Sequence, residues 1–168
     1  MTAWAALLRA VNVGGTGKLP MAELKALCEV LGLAQVRTYI ASGNVVFGSD
    51  LTEGELKAMI EAALEAKYGK PIAVLVRSGA DLARVVQANP WPDRPGNRVV
   101  AIFCDDELTL DGITGQGGEV IALGQREVFV DYGEGMADPR LRIPCTKAGT
   151  ARNMNTVTKL AAMAAELA

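Results

Sequence analysis

Near the middle of the chain, the segment Asn89-Pro90-Trp91-Pro92-Asp93-Arg94-Pro95-Gly96-Asn97 holds three prolines. Proline fixes φ and has no amide hydrogen, so this stretch can be neither helix interior nor central strand. It divides a chain of 168 residues, a length that suits one domain or two small units. The reading that follows is a first unit over 1–77, a connecting helix and Pro-rich linker over 78–97, and a second unit over 98–168 with a C-terminal helix. Half of the residues are apolar and 21% are charged, which places the chain among those that fold.

Before the linker the pattern is regular. Residues 3–11 read as a strand buried on both faces. Asn12-Val13-Gly14-Gly15-Thr16-Gly17-Lys18 follows as a loop. Pro20 suits the first position of a helix, along which Met21, Leu24, Cys28 and Leu31 recur at helical spacing up to Gly32. Val36–Ile40 and Val45–Phe47 flank the turn Ser42-Gly43-Asn44 as a hairpin. Thr52 and Glu55 form a capping box ahead of the stripe Leu56, Met59, Ile60, Ala63, Leu64, and Gly69 ends that helix. Residues 72–76 are a wholly apolar strand. The order is β-α-β-β-α-β, a ferredoxin-like unit. Residues 78–88 then predict the connecting helix.

Beyond the linker, 98–104, 120–122, 128–130 and 147–152 read as strands, 107–115 as a short helix, 133–145 as irregular, and 153–167 as a helix. Ile40-Ala41-Ser42-Gly43-Asn44-Val45-Val46-Phe47 matches Ile121-Ala122-Leu123-Gly124-Gln125-Arg126-Glu127-Val128-Phe129 with one extra residue in the second copy. The expected fold class is therefore α+β: two tandem ferredoxin-like (β-α-β-β-α-β) units, antiparallel sheets with helices packed on one face.

Composition removes several chemistries. There is no histidine, hence no His-based triad or dyad, no His-ligated zinc and no His general base. Cys28, Cys104 and Cys145 form no metal-ligand spacing; no metal and no cofactor are expected. The first two suit reduced core thiols, while Cys145 lies in a loop context that leaves it open to reaction. The formal charge is −2, which argues against nucleic acid as a partner. Eight aromatic residues are too few for a base-stacking platform. The basic residues Arg140, Arg142, Lys147, Arg152 and Lys159 cluster late in the chain, and so leave room for one anionic small molecule. No signal-like leader and no apolar run of membrane length is present, so a cytoplasmic protein is expected, as monomer or homodimer.

Three blocks carry candidate binding residues, each with a plainer reading. Arg9, Asn12, Gly14, Gly15 and Lys18 surround a glycine turn that either needs glycine backbone angles or presents N–H groups to an anion. A phosphate-loop motif is excluded, since it needs Gly at position 12 and Ser or Thr at 19, where the chain has Asn12 and Leu19. Ser42, Gly43 and Asn44 either make a turn or offer hydrogen bonds to a ligand. Arg152, Asn153, Asn155 and Lys159 open the last helix, either as an N-cap or as an anion site. The acids Asp105-Asp106-Glu107 and Glu53/Glu55 read as solvated faces. No set of catalytic residues emerges; the expected function is a small-ligand binding module for an anionic, nucleotide or phosphate-bearing ligand, the alternatives being a protein-interaction or regulatory module pairing through its sheets and, after that, an enzyme without His or metal.

Leu7-Leu8-Arg9-Ala10-Val11-Asn12-Val13-Gly14-Gly15 with Pro20-Met21-Ala22-Glu23-Leu24 resembles the opening of the bacterial family called domain of unknown function 1697. So do Arg37–Phe47, Asn89-Pro90-Trp91 and Thr150-Ala151-Arg152-Asn153-Met154-Asn155-Thr156-Val157-Thr158-Lys159-Leu160. The family has no established activity, so the resemblance implies a fold, two ferredoxin-like halves in a soluble protein, and no mechanism. The chain departs from the family's pattern at 133–145, where Gly133, Gly135, Pro139 and Pro144 weaken an otherwise regular helix.

Overall fold

A computed structural model describes residues 1–10, 18–134 and 140–167. Among these residues the architecture is mixed α+β, with two four-stranded antiparallel sheets and four α-helices. Contacts divide the chain into Met1–Leu82 with Leu160–Ala168, and Ala83–Lys159.

The first unit runs β1 (Thr2–Leu8), α1 (Met21–Val30), β2 (Ala34–Tyr39), β3 (Asn44–Ser49), α2 (Glu53–Tyr68) and β4 (Val74–Ser78), followed by α3 (Gly79–Ala88). The sheet order is β2-β3-β1-β4. Its local rules act as the sequence predicts. Thr52 Oγ1 accepts the Glu55 amide and Glu55 answers with the Thr52 amide, closing the capping box. Gly69 ends α2 in the left-handed conformation at φ 73°. Pro20 is the N-cap itself, extended at ψ 138°, rather than the first helical residue. The helical stripes Leu24, Cys28 and Leu56, Ile60, Leu64 bury against Ala6, Leu8, Val45, Phe47, Val74 and Val76 on one face of the sheet. In the register Ala5 lies opposite Val46 and Arg77, so these three share the other face, and all are buried.

The second unit carries β5 (Val99–Phe103), β6 (Val120–Leu123), β7 (Glu127–Asp131) and β8 (Thr150–Asn153), then α4 (Met154–Glu166). Its order, β6-β7-β5-β8, repeats that of the first sheet strand for strand. The crossovers differ from expectation. Residues 107–115 form turns instead of a short helix. The Thr109 hydroxyl accepts the Asp111 amide, and Gly112 and Gly115 take φ of 77° and 70°, which together bend the chain away from a helical path. Of 133–145, residues 135–139 lie outside the description, and Pro144–Thr146 makes a single 3-10 turn. The second unit is thus not a β-α-β-β-α-β unit among the described residues. Coil segments bearing Leu108, Ile113, Leu141 and Ile143 cover the face made by Val100, Ile102, Val128 and Val130.

The internal match also needs correction. By register, Val45 corresponds to Val128 and Val46 to Phe129. Phe47 lies opposite Trp4 with the helices on its face, whereas Phe129 lies opposite Ala101 on the other face. Aligning the two Val-Phe pairs shifts one strand by a residue, and a one-residue slip inverts every side chain.

Candidate functional site

In the first unit β1 and β2 end, and β3 and β4 begin, at one end of the sheet. There the Leu8 amide donates to the Gly43 carbonyl at 2.8 Å and the Arg9 amide to the Ala73 carbonyl at 2.9 Å. These bonds bring the first candidate block and the hairpin turn together. The last turn of α2 and the first of α1 are tied to each other by the Tyr68 hydroxyl, which donates to Glu23 at 3.2 Å. Burial first, then Glu23, holds the Tyr68 phenol above its usual range. Arg9, Lys18 and Lys70 are exposed in this region of the chain. Asn12, Gly14 and Gly15 lie outside the described residues.

The turn residues have different fates. Gly43 adopts φ 88°, and Ile40 is held at φ 50° on the approach, so the turn requires the left-handed region and glycine supplies it. Asn44 is fully buried, and its side-chain amide donates to the Tyr39 carbonyl and the Ser42 hydroxyl, each at 3.0 Å. That is turn chemistry, spent on one backbone carbonyl and one side chain of the same hairpin. Ser42 stays half-buried, next to Gly43, whose carbonyl accepts the Leu8 amide.

The third block belongs to the second unit. Arg152 is 7% exposed and donates to the Thr150 hydroxyl and the Ala151 carbonyl, both at 2.9 Å. Burial lowers its pKa to about 10, so it remains charged at neutral pH. Asn153 is the N-cap of α4, its side-chain oxygen accepting the Thr156 amide at 2.9 Å. The Met154 and Asn155 amides turn to the Gly96 carbonyl at 3.0 and 3.4 Å. The first N–H groups of α4 are therefore consumed by its own cap and by the end of the Pro-rich linker, which leaves little for an anion at that terminus. Asn155 and Lys159 are exposed on the first turns. A Cβ at Gly96 would lie 2.2 Å from the Asn155 side-chain oxygen, so the exposed Asn155 side chain would have to swing aside.

The profile of a family described as protein of unknown function, DUF1697, matches residues 1–129. The chain belongs to that family. It is also similar to the conserved bacterial protein SP0830 from Streptococcus pneumoniae, at 26% identity and a TM-score of 0.80 over 97% of this chain and 98% of the other. No protein of curated function matches it. Among the described residues no three His, Cys, Asp or Glu side chains gather as a metal site, and no helix is long and apolar enough to cross a membrane.

Sequence reasoning missed a duplicated arginine. Arg77 on β4 lies opposite Ala5 of β1, and Arg152 on β8 lies opposite Ala101 of β5. Both are buried, and each donates to the carbonyl of the preceding residue at 2.9 Å. Each is followed by a helix cap: the Ser78 hydroxyl accepts the Asp81 amide at 3.1 Å, as Asn153 accepts that of Thr156. The signal was available as Arg-Ser-x-x-Asp and Arg-Asn-x-x-Thr, but Arg77 reads as the polar end of an apolar strand. Also missed were two buried carboxylates of the second sheet. Glu127 is fully buried and takes a bidentate pair from Arg84 at 3.1 and 3.2 Å. Asp131 accepts Arg94 Nε at 3.1 Å. These arginines sit in α3 and the linker, so their partners are not near in sequence.

Proposed function

We propose that this protein is a cytoplasmic small-ligand binding module for an anionic, phosphate-bearing ligand such as a nucleotide, built on two units of ferredoxin-like descent. The first unit has the β-α-β-β-α-β order and the strand arrangement of that fold; the second keeps the strand arrangement with coil in place of the crossover helices. The ligand site is the end of the first sheet around Arg9, Lys18 and Ser42. One observation carries this reading: the hydrogen bonds from Leu8 to Gly43 and from Arg9 to Ala73 fix the Arg9 backbone between the hairpin turn and the start of β4. An exposed cation on an anchored backbone loses less freedom on binding than one on a loose loop. Arg152 and Lys159 are assigned a structural and a surface role, since the start of α4 is already capped.

Thermal-shift titration with inorganic phosphate and with adenine nucleotides tests the proposal. A ligand at 100 times its Kd raises stability by about 2.7 kcal/mol, an upward midpoint shift that Arg9→Ala with Lys18→Ala removes and Lys159→Ala preserves. If no anion shifts the midpoint, or if the Arg9/Lys18 double variant responds as the wild type does, the reading fails.

A further inference from the structure

We infer that the outer edge of β6 is a self-association strand, and that a second copy of this chain pairs with it antiparallel about Ala122. This inference is independent of the anion site. β6 is Val120-Ile121-Ala122-Leu123, four residues without a charge or a proline, at the end of its sheet. Val120 and Leu123 are 50% and 45% exposed. Sheet edges are normally guarded by charges, prolines, bulges or short length, because an unpaired row of N–H and C=O groups invites another strand. The corresponding edge of the first sheet is guarded. There β2 has a register shift between Ala34 and Arg37, Gln35 is forced to φ 52°, and Arg37 is ion-paired with Glu166. Among the described residues, β6 shows one such guard, its shortness.

The register decides how a second copy fits. The Gly124 amide donates to the Glu127 carbonyl at 2.7 Å, which makes Gly124 and Glu127 a hydrogen-bonded pair. Alternation then makes Ala122–Phe129 and Val120–Asp131 hydrogen-bonded pairs too, whereas Ile121 and Leu123 turn their N–H and C=O groups outward. An antiparallel copy centred on Ala122 places Ile121 opposite Leu123 of the other copy, twice. Each of these pairs exchanges two backbone hydrogen bonds, and the two apolar side chains of each pair stand on the same face. The same register sets Glu119 opposite the neutral Gln125 of the second copy, so no like charges face each other; Arg126, next in line, is a cation already paired with Asp105 at 3.1 Å. Centring on Ile121 instead puts Glu119 opposite Leu123, an apolar-acidic mismatch. The arrangement is isologous and closes at two copies, since each β6 edge is then occupied by the other.

A four-residue strand buries far less than a standard interface, so the association is weak and concentration-dependent. Sedimentation of the full chain up to about 1 mM, where small interfaces assemble, is expected to show the mass rising from 17.7 kDa toward twice that value. Leu123→Lys, which adds an edge guard at an exposed position, is expected to hold the protein at the mass of one chain. A second test does not depend on that variant folding. In a Cys145→Ser background, Ala122→Cys is expected to give a disulfide-linked dimer on oxidation, because facing residues of a non-hydrogen-bonded pair have Cα atoms about 4.5 Å apart. Val120→Cys, two residues from the axis, is expected not to cross-link to itself. A protein that stays at one-chain mass throughout overturns the inference. So does a dimer that Leu123→Lys leaves intact, and so does cross-linking through Val120→Cys but not Ala122→Cys.

Discussion

Removing the guanidinium of Arg84 leaves a carboxylate in the interior of the second unit with little to replace it. Glu127 is fully buried, and Arg84 donates to both of its oxygens. Losing one partner of a buried pair typically costs about 3–5 kcal/mol, because the remaining charge is neither hydrated nor paired. Glu127 retains the Arg126 amide, which donates to it at 3.2 Å, so we place Arg84→Ala at the lower end, about 3 kcal/mol. For a chain of this size that corresponds to a melting midpoint lowered by about 6–12 °C. The first sheet suggests the rescue. Asn44 and Glu127 occupy the same position, opposite Leu7 in one sheet and Phe103 in the other, and both are fully buried. The neutral amide of Asn44 is satisfied within its own hairpin, while the carboxylate of Glu127 needs a cation from α3. Glu127→Gln in the Arg84→Ala background is therefore expected to recover about 2 kcal/mol of the loss. Differential scanning calorimetry of the four proteins in the cycle measures both values. A loss below about 1 kcal/mol for Arg84→Ala, the scale of a surface pair, refutes the reasoning; so does an absence of coupling to Glu127→Gln.

Other outcomes follow from single contacts. Asn153→Ala removes the side-chain cap of α4 and is expected to cost about 1 kcal/mol by urea denaturation. Gly96→Ala pushes the exposed Asn155 side chain aside and is expected to cost only about 0.5 kcal/mol, a loss that Asn155→Ala removes. Burial, reinforced by Glu29, raises the Cys28 pKa from 9.0 to about 12. The unfolded thiol ionises first, so stability is lost as pH rises from about 9 to 12, at up to about 1.4 kcal/mol per pH unit, and Cys28→Ala is expected to flatten that slope. A thiol reagent at neutral pH is expected to label Cys145, which is half-buried, and to reach Cys28 and Cys104 only on unfolding.

The first unit was legible because short-range rules decide it. The capping box at Thr52, the stripe from Leu56 to Leu64 and the left-handed Gly69 act within a few residues of themselves. The hairpin was legible for the same reason, though which face Phe47 and Phe129 occupy was not, since strand register depends on partners far away in sequence. In the second unit the apolar residues Leu108, Leu110 and Ile113 imitate half a helical stripe. They carry no cap, and Gly112 and Gly115 settle into left-handed turns, so coil wins. Of the candidate site, the proximity of Arg9 to the Ser42–Asn44 turn follows from ordinary β-α-β-β-α-β geometry and was within reach of the sequence. The capping of α4 by the Gly96 carbonyl was not, because it joins residues more than fifty positions apart through a backbone atom with no side-chain signature.

The coil that roofs the second sheet has a mechanical consequence. A helix shields its own amides by bonding them four residues back, so a helical roof lifts as one piece. Turns have no such ladder, and each bend can open without disturbing the next. Deuterium should therefore enter 105–119 long before it enters α1 or α2, and a protease supplied in trace amounts should nick that span while the first sheet and its helices stay whole.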